Sequence, residues 1–183
     1  MSAPREPTLG GDGFVLRPFR STDLDELVAL ADNERVSAML RDRFPFPYTR
    51  ADGVAFLADT AGARDDWRLA IEVDRRFAGS VGFRPGSDVH RHTAEVGYWL
   101  GEPYWGRGLV TAALRAATPV AMDALKLHRV AAGVYSGNPA SARVLEKAGY
   151  EHEGTLRCAV VKRGRLHDVE LYARVRRSLA DAA

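Results

Sequence analysis

The chain has 183 residues, is 46% hydrophobic and 27% charged, and sets 26 Lys plus Arg against 24 Asp plus Glu. That length suits one ordinary domain with one core, and the composition lies far from the low-hydrophobicity, high-charge signature of disorder. A formal net charge of +2 argues against nucleic acid or an anionic membrane as partner, so an anionic ligand would have to be held locally.

Residues 1–13 are rich in Pro and Gly and read as a flexible lead-in without the basic-then-apolar layout of a signal peptide. No apolar run reaches the roughly 18 residues of a membrane span, so a cytoplasmic protein is expected. Phe14 to Phe19 predicts a strand. Ser21 or Thr22 then offers an N-cap to a helix whose apolar stripe is Leu24, Leu27, Val28 and Ala31. Phe44-Pro45-Phe46-Pro47-Tyr48 sets three aromatics between prolines, which forbids regular helix; Thr49 or Asp52 caps a second helix through Leu57 and Ala61. Trp67 to Val73 and Phe77 to Phe83 alternate as strands and are joined by Asp74-Arg75-Arg76 into a hairpin.

Glu95 to Leu100 predicts the next strand, followed by a Gly-rich turn and a helix from Gly108 to Leu125 with Leu109, Ala112, Ala113, Ala116 and Val120 on one face. Pro119 falls inside that helix, where it is expected to cost about 3 kcal/mol and kink it. A strand from Arg129 to Tyr135 comes next, then a helix from Pro139 to Lys147 opened by Asn138 and closed by Gly149. Strands at Tyr150 to Val161 and Leu166 to Val175 finish the fold before a tail at 177–183. The expected architecture is α+β, a single domain over 14–176 with a mixed, mostly antiparallel sheet of about seven strands flanked by about four helices. Its last strands present an edge that a second copy can cover, so a homodimer stays open. The lone Cys158 excludes an internal disulfide and a Cys-cluster zinc site, and His90 and His92 lack a third ligand, so no metal is expected.

The informative unit is strand, Gly turn, helix. In Tyr104-Trp105-Gly106-Arg107-Gly108-Leu109-Val110-Thr111, two glycines remove Cβ atoms where the backbone opens a helix, so a ligand can approach main-chain N–H groups closely. The first N–H groups of a helix lack internal partners and sit at the positive end of its dipole, which favours phosphate oxygens; Arg107 adds a cation. A tight turn that needs glycine for geometry alone explains the same residues. The turn has neither the Gly-Lys-Ser/Thr of a P-loop nor the third glycine of a dinucleotide fold.

Three blocks in order, Ala94-Glu95-Val96-Gly97-Tyr98-Trp99-Leu100, Trp105-Gly106-Arg107-Gly108, and Asn138-Pro139-Ala140-Ser141 with Glu146-Lys147-Ala148-Gly149-Tyr150, resemble the GNAT superfamily of N-acetyltransferases. The likeness runs from about Phe14 to Ala173 and is nearest the branch of ribosomal-protein alanine and serine N-terminal acetyltransferases. It implies that Gly106, Arg107, Gly108, Leu109, Val110 and Thr111 wrap the pyrophosphate of acetyl-CoA. Main-chain groups of Trp99 and Leu100 pair with the pantetheine arm, Asn138 touches its amides, and the strand at Glu95 splays from the one at Arg129 to leave a slot for the thioester. Two departures stand out: Val110 where the family usually has Gly or Ala, and Leu145 where many members carry a tyrosine acid.

Acetyl transfer to an amine needs a neutral nucleophile, a stabilised oxyanion and a protonated thiolate leaving group. A main-chain N–H at Trp99 or Leu100 suits the oxyanion. Glu95, bordering the slot, is the candidate base, with an ion-paired surface carboxylate as the plain alternative. Ser141, three residues after Asn138, is the candidate acid and a further cofactor contact, with a helix-cap hydroxyl as its alternative. Asn138 is in any case explained as an N-cap, and Tyr135 and Tyr150 fit core and strand positions better than an acid's. A peptide α-amine, with a pKa of about 8 against about 10.4 for lysine, needs little help to lose its proton.

The expected activity is therefore acetyl-CoA-dependent N-acetylation of a primary amine, most simply a protein N-terminus. The acceptor enters opposite the cofactor between the first helices and the Phe44 to Tyr48 connection, which serves either as a lid or as a packed loop. A small amine such as an antibiotic or polyamine is the rival acceptor. A non-catalytic CoA-binding regulatory module is the rival of another class.

Overall fold

The computed structural model describes residues 8–62 and 66–176. In chain order its elements are β1 (Leu9–Gly11), β2 (Phe14–Arg17), α1 (Leu24–Ala31), α2 (Glu34–Ser37), α3 (Arg50–Gly62), β3 (Trp67–Val73), β4 (Arg76–Pro85), β5 (Thr93–Leu100), α4 (Leu109–Ala124), β6 (Arg129–Tyr135), α5 (Pro139–Lys147), β7 (Glu151–Lys162) and β8 (Arg165–Val175). They build one sheet in the order β1-β2-β3-β4-β5-β6-β8-β7, antiparallel throughout except where β5 runs parallel to β6.

The expected α+β architecture is present, with one strand and one helix more than the sequence patterns suggest. The added strand is β1, which pairs Leu9 with Leu16 and Gly11 with Phe14, so the lead-in expected to be loose as far as Gly13 is ordered from Leu9. Residues 1–7 and the tail 177–183 lie outside the described residues. The added helix is α2, a single turn made by Asn33, whose side-chain oxygen accepts from the N–H groups of Arg35 at 2.9 Å and Val36 at 3.3 Å. At α3 the two cap candidates act together: Thr49 N–H donates to Asp52 and Asp52 N–H to Thr49 Oγ1, a reciprocal capping box.

Strand alternation divides the core into two layers around the sheet. Leu69, Ile71, Val81, Phe83, Val96, Val130 and Val134 face α4 and α5, where Ala113, Leu114, Ala117 and Leu145 meet them. Ala70, Phe77 and Trp99 face the other way, onto Leu27 and Ala31 of α1 and Tyr48. The helix α4 runs from Leu109 to Ala124 with Pro119 inside it, where the ring deprives the Arg115 carbonyl of its usual donor.

Two ionic ties close the acceptor-side layer. Arg17, 3% exposed, donates to both oxygens of Asp23 at 2.7 and 2.8 Å and to Glu72 at 2.5 Å, fastening β2 to the turn before α1 and to β3. Burial is the largest single influence on the Arg17 pKa and lowers it, but the hydrogen bonds and charges of Asp23 and Glu72 together outweigh it and raise the pKa. At the far end the β7–β8 turn reaches over to α2: Lys162 bonds Asp42 at 2.7 Å, and Arg163 bonds Glu34 at 2.8 Å and Ser37 Oγ at 3.1 Å. The hairpin thereby spans the side of the sheet on which α1 and α2 lie.

Candidate active site

Parallel pairing between β5 and β6 covers only Thr93 with Arg129, Ala94 with Val130 and Glu95 with Ala131. Beyond Glu95 the strands part. Val96 to Leu100 stay paired to β4 alone, while Ala132 to Tyr135 follow β8. One backbone edge of β5 is thus left without a strand beside it, and such an edge offers N–H and C=O groups to an extended, amide-bearing ligand. Past Glu95 the edge of β5 that faces β6 is unpaired, while β8 pairs the opposite edge of β6 along its whole length from Arg129 to Tyr135, so the sheet stays continuous at one end of the slot only.

At the mouth of the slot the chain turns through Gly106 (φ +75°) and Gly108 (φ +74°) into α4, with Gly108 as N-cap. Both glycines hold left-handed backbone that L side chains rarely adopt, and a Cβ on either would meet nothing within 4 Å. The space over them is open, and no side chain caps the helix, so the first N–H groups of α4 point into it unused. That combination fits a pyrophosphate at a helix start. Arg107 is exposed with its guanidinium 5.9 Å from the Tyr104 ring centre, leaving it available to an anion. Leu109 is buried, and Val110 packs partly against the core, so its extra bulk is turned at least in part away from the open space. Thr111 is half-buried on the first turn.

Trp99 is opposite Ser80 of β4, and its ring is buried between Phe44 at 5.3 Å and Phe77 at 5.8 Å, so its side chain is unavailable to a ligand. The Leu100 carbonyl already accepts from Trp105 Nε1 at 2.7 Å, which holds the turn against the strand end. The Phe44–Tyr48 connection packs on this aromatic group, with Phe44 and Tyr48 rings 5.1 Å apart and Tyr48 buried, so its role is the packed loop.

The catalytic candidates come to opposite faces of β5. Glu95 lies at the last paired position before the slot, on the face toward α1 and α3, where its exposed carboxylate is engaged by Arg41. Ser141 lies on the first turn of α5, its N–H donating to Asn138 Oδ1 at 3.1 Å, so Asn138 is the N-cap its sequence suggested. The Ser141 hydroxyl is 2.7 Å from the hydroxyl of Tyr98, which projects from the other face of β5. Burial pushes the Tyr98 phenol up to about 12, so it stays protonated at neutral pH. The sequence reading missed Tyr98. Alternation with Val96 was a signal for its face, but only the packing of α5 over β5 brings Ser141 to it.

Leu145 is fully buried in the core and presents no polar group to the slot. Tyr150 is spent on Thr118, 2.8 Å away, and burial pushes its phenol up to about 12; Tyr135 lies against His167 at 6.2 Å. On the α1 and α3 side, small residues floor a furrow: Gly82 pairs with Gly97 on β4 and β5, and Ala131 and Gly133 lie across the slot on β6. The furrow runs into a cleft of about 330 Å³ lined by Arg84, Thr93, Glu95, Arg129 and Ala131. Among the described residues no three His, Cys, Asp or Glu side chains gather as metal ligands, and no helix is long and apolar enough to cross a membrane.

A splayed parallel pair beside a glycine-led, uncapped helix start defines an acyl-CoA-dependent acyltransferase fold. Residues 14–151 match the acetyltransferase (GNAT) domain family, and the chain belongs to it. It is 31% identical over 178 residues to a probable N-acetyltransferase of Bacillus subtilis, YjcK, covering 90% of this chain and 95% of that one. A putative ribosomal N-acetyltransferase of the same organism, YdaF, is 34% identical over 139 residues, 67% of this chain and 76% of the relative. The fold superposes with TM-score 0.82 and 21% identity on RimL, a ribosomal-protein alpha-N-acetyltransferase solved in complex with coenzyme A, over 97% of this chain and all of that one. The protein is an acetyl-CoA-dependent N-acetyltransferase.

Proposed function

We propose that this cytoplasmic enzyme acetylates the α-amine of a protein N-terminus. What supports the reading is the open slot between β5 and β6, which leaves a passage through the sheet with Glu95 on the helix α1 side and Ser141 on the helix α5 side. An extended chain end can lie in the Gly82–Gly97 furrow and bring a terminal amine to the slot, and the ribosomal relative at 34% identity agrees with such an acceptor.

In this reading acetyl-CoA is held by the N–H groups of Gly108, Leu109, Val110 and Thr111, by Gly106 and Arg107, and by the free β5 edge at Trp99 and Leu100, with Asn138 alongside. When bound it supplies the acetyl group and a thiolate leaving group. Glu95 takes the ammonium proton, directly or through water, once it shares its carboxylate with the amine as well as Arg41. Because a peptide α-amine has a pKa of about 8, roughly a fifth is already neutral at physiological pH, far more than of a lysine, and orientation supplies most of the rate. Ser141 donates a hydrogen bond toward the leaving sulfur and is itself backed by Tyr98. A phenol held near 12 does not surrender its proton to a thiolate whose acid has a pKa of about 8.5. Tyr98 therefore orients Ser141 and polarises its hydroxyl, and the sulfur takes its proton finally from solvent.

The test is thiol release from acetyl-CoA with a panel of N-terminal peptides and free amines. Turnover with peptides, strongly reduced in Glu95→Gln and in Ser141→Ala at unchanged CoA affinity, is the expected result. Tight CoA binding without release to any acceptor would leave the regulatory-module reading instead, and release to small amines alone would move the acceptor class.

A further inference from the structure

Arginines crowd the acceptor face next to the slot. Arg68 and Arg84 project from β3 and β4, and Arg41 and Arg43 come from the connection between α2 and α3. Among the described residues Glu95, Asp59 and Asp66 answer them. Arg41 engages Glu95, Arg68 engages Asp59 at 2.5 Å and Asp66 at 2.7 Å, and Arg84 shares Asp66 at 3.0 Å. Arg43 makes no ion pair among the described residues. Arg43 is exposed, and its pKa is lowered, first by partial desolvation and then by repulsion from Arg84, Arg41 and Arg68, with Glu95 pulling the other way. A guanidinium in that position stays charged and is improved by any anion that arrives. The adjoining cleft of about 330 Å³ is lined by Arg84 and ends at Glu95 and Ala131, the last pair before the slot opens. Arg129, also on its wall, is already committed to Glu153 at 2.6 Å.

We propose that the acceptor is a peptide whose first residues after the amine are acidic, and that Arg43 and Arg84 receive those carboxylates. The proposal rests on the N-terminal acetyltransferase reading above and narrows its substrate class. Extended chain advances about 3.3 Å per residue, so side chains at the second to fourth positions of an acceptor span the width of two neighbouring strands. With the amine at Glu95, they fall over β4 and the Arg43 connection, since Arg84 is the cross-strand partner of Glu95. A polyamine would carry its second and third charges into the same four guanidiniums and be repelled.

The experiment compares kcat/KM for two peptides with the same terminal Ser, one followed by Asp and Glu and the other by Lys, at low and high salt. The acidic peptide is expected to be favoured about tenfold at low salt and less at high salt, as screened charge pairs require. Arg43→Ala is expected to remove most of that preference and Arg43→Glu to reverse it, with CoA affinity by calorimetry and the thermal midpoint unchanged. Equal kcat/KM for both peptides, or a preference for lysine, with turnover intact, overturns the proposal alone. No turnover with either peptide by a protein that binds CoA and acetylates spermidine overturns the N-terminal reading and this proposal together.

Discussion

Two glycines on neighbouring strands separate what the sheet needs from what the acceptor needs. Gly79 on β4 pairs with Leu100, and a Cβ there would stand 2.3 Å from the Trp99 carbonyl oxygen and 2.8 Å from the Leu100 Cα. Both are backbone atoms, so no side chain can swing aside and β4 must move from β5 by about an ångström. Overpacking of this kind costs about 1 to 3 kcal/mol, and the Gly101 N–H to Ala78 carbonyl bond at 2.8 Å is lost as the strands part. Gly97 on β5 is the opposite case: a Cβ there meets nothing within 4 Å, and its backbone is not left-handed. Gly97→Ala is expected to leave stability unchanged or raise it by about 0.4 to 1 kcal/mol, because alanine has fewer unfolded conformations to lose. The methyl projects into the furrow between Glu95 and Trp99, on the face toward α1. If the amine reaches the slot there, it is displaced by about an ångström, which costs roughly 10- to 100-fold in kcat/KM for the acceptor. Denaturant unfolding, CoA calorimetry and acceptor kinetics on both variants decide the matter. Gly97→Ala with wild-type kcat/KM for every acceptor would refute the placement of the acceptor on this face, and Gly79→Ala with wild-type stability would refute the packing argument.

Tyr98→Phe removes the hydroxyl behind Ser141 and is expected to cost about 0.5 to 1.5 kcal/mol of stability and to lower kcat more than it raises KM. A double-mutant cycle with Ser141→Ala should be strongly non-additive, and additive losses would separate the two residues. Asp23→Ala strands the buried Arg17 with Glu72 as its remaining carboxylate and is expected to destabilise by about 3 to 5 kcal/mol in chemical unfolding; a loss below about 1 would contradict the tie. Tyr98 and Tyr150 ionise near 12 in the folded protein but near 10 when unfolded, so their contribution is complete below about pH 10 and is lost as pH climbs through 12. Each is worth about 2 to 3 kcal/mol across that window, and a denaturation midpoint that stays flat from pH 10 to 12 would contradict their burial.

The element pattern was largely legible from residue types, because its signals are local. Alternation in Trp67–Val73, the Asn138-Pro139 start and Gly149 stop of α5, and the paired glycines before α4 each act within a few residues. Local signals failed where the partner is distant. Leu9–Gly11 is a strand only because Leu16 lies opposite, and α4 survives Pro119 because packing on the sheet outweighs one lost hydrogen bond.

For the site, the sequence by itself determined the inventory: a glycine-led helix start, a capping Asn, a strand carboxylate and a first-turn serine, each specified by backbone chemistry within its own segment. Only the tertiary structure decided how they are shared between the two faces of the sheet. The parting of β5 from β6 after Glu95 is visible only in the strand pairing, where β5 keeps β4 alone and β6 keeps β8 alone. Tyr98 meets Ser141 across 43 residues of chain, and Arg43 joins Arg68 and Arg84 only when the α2–α3 connection folds over the strands. The near balance of charge over the whole chain therefore says nothing about this patch, since a net charge sums over the surface whereas a ligand feels only the groups within about a Debye length.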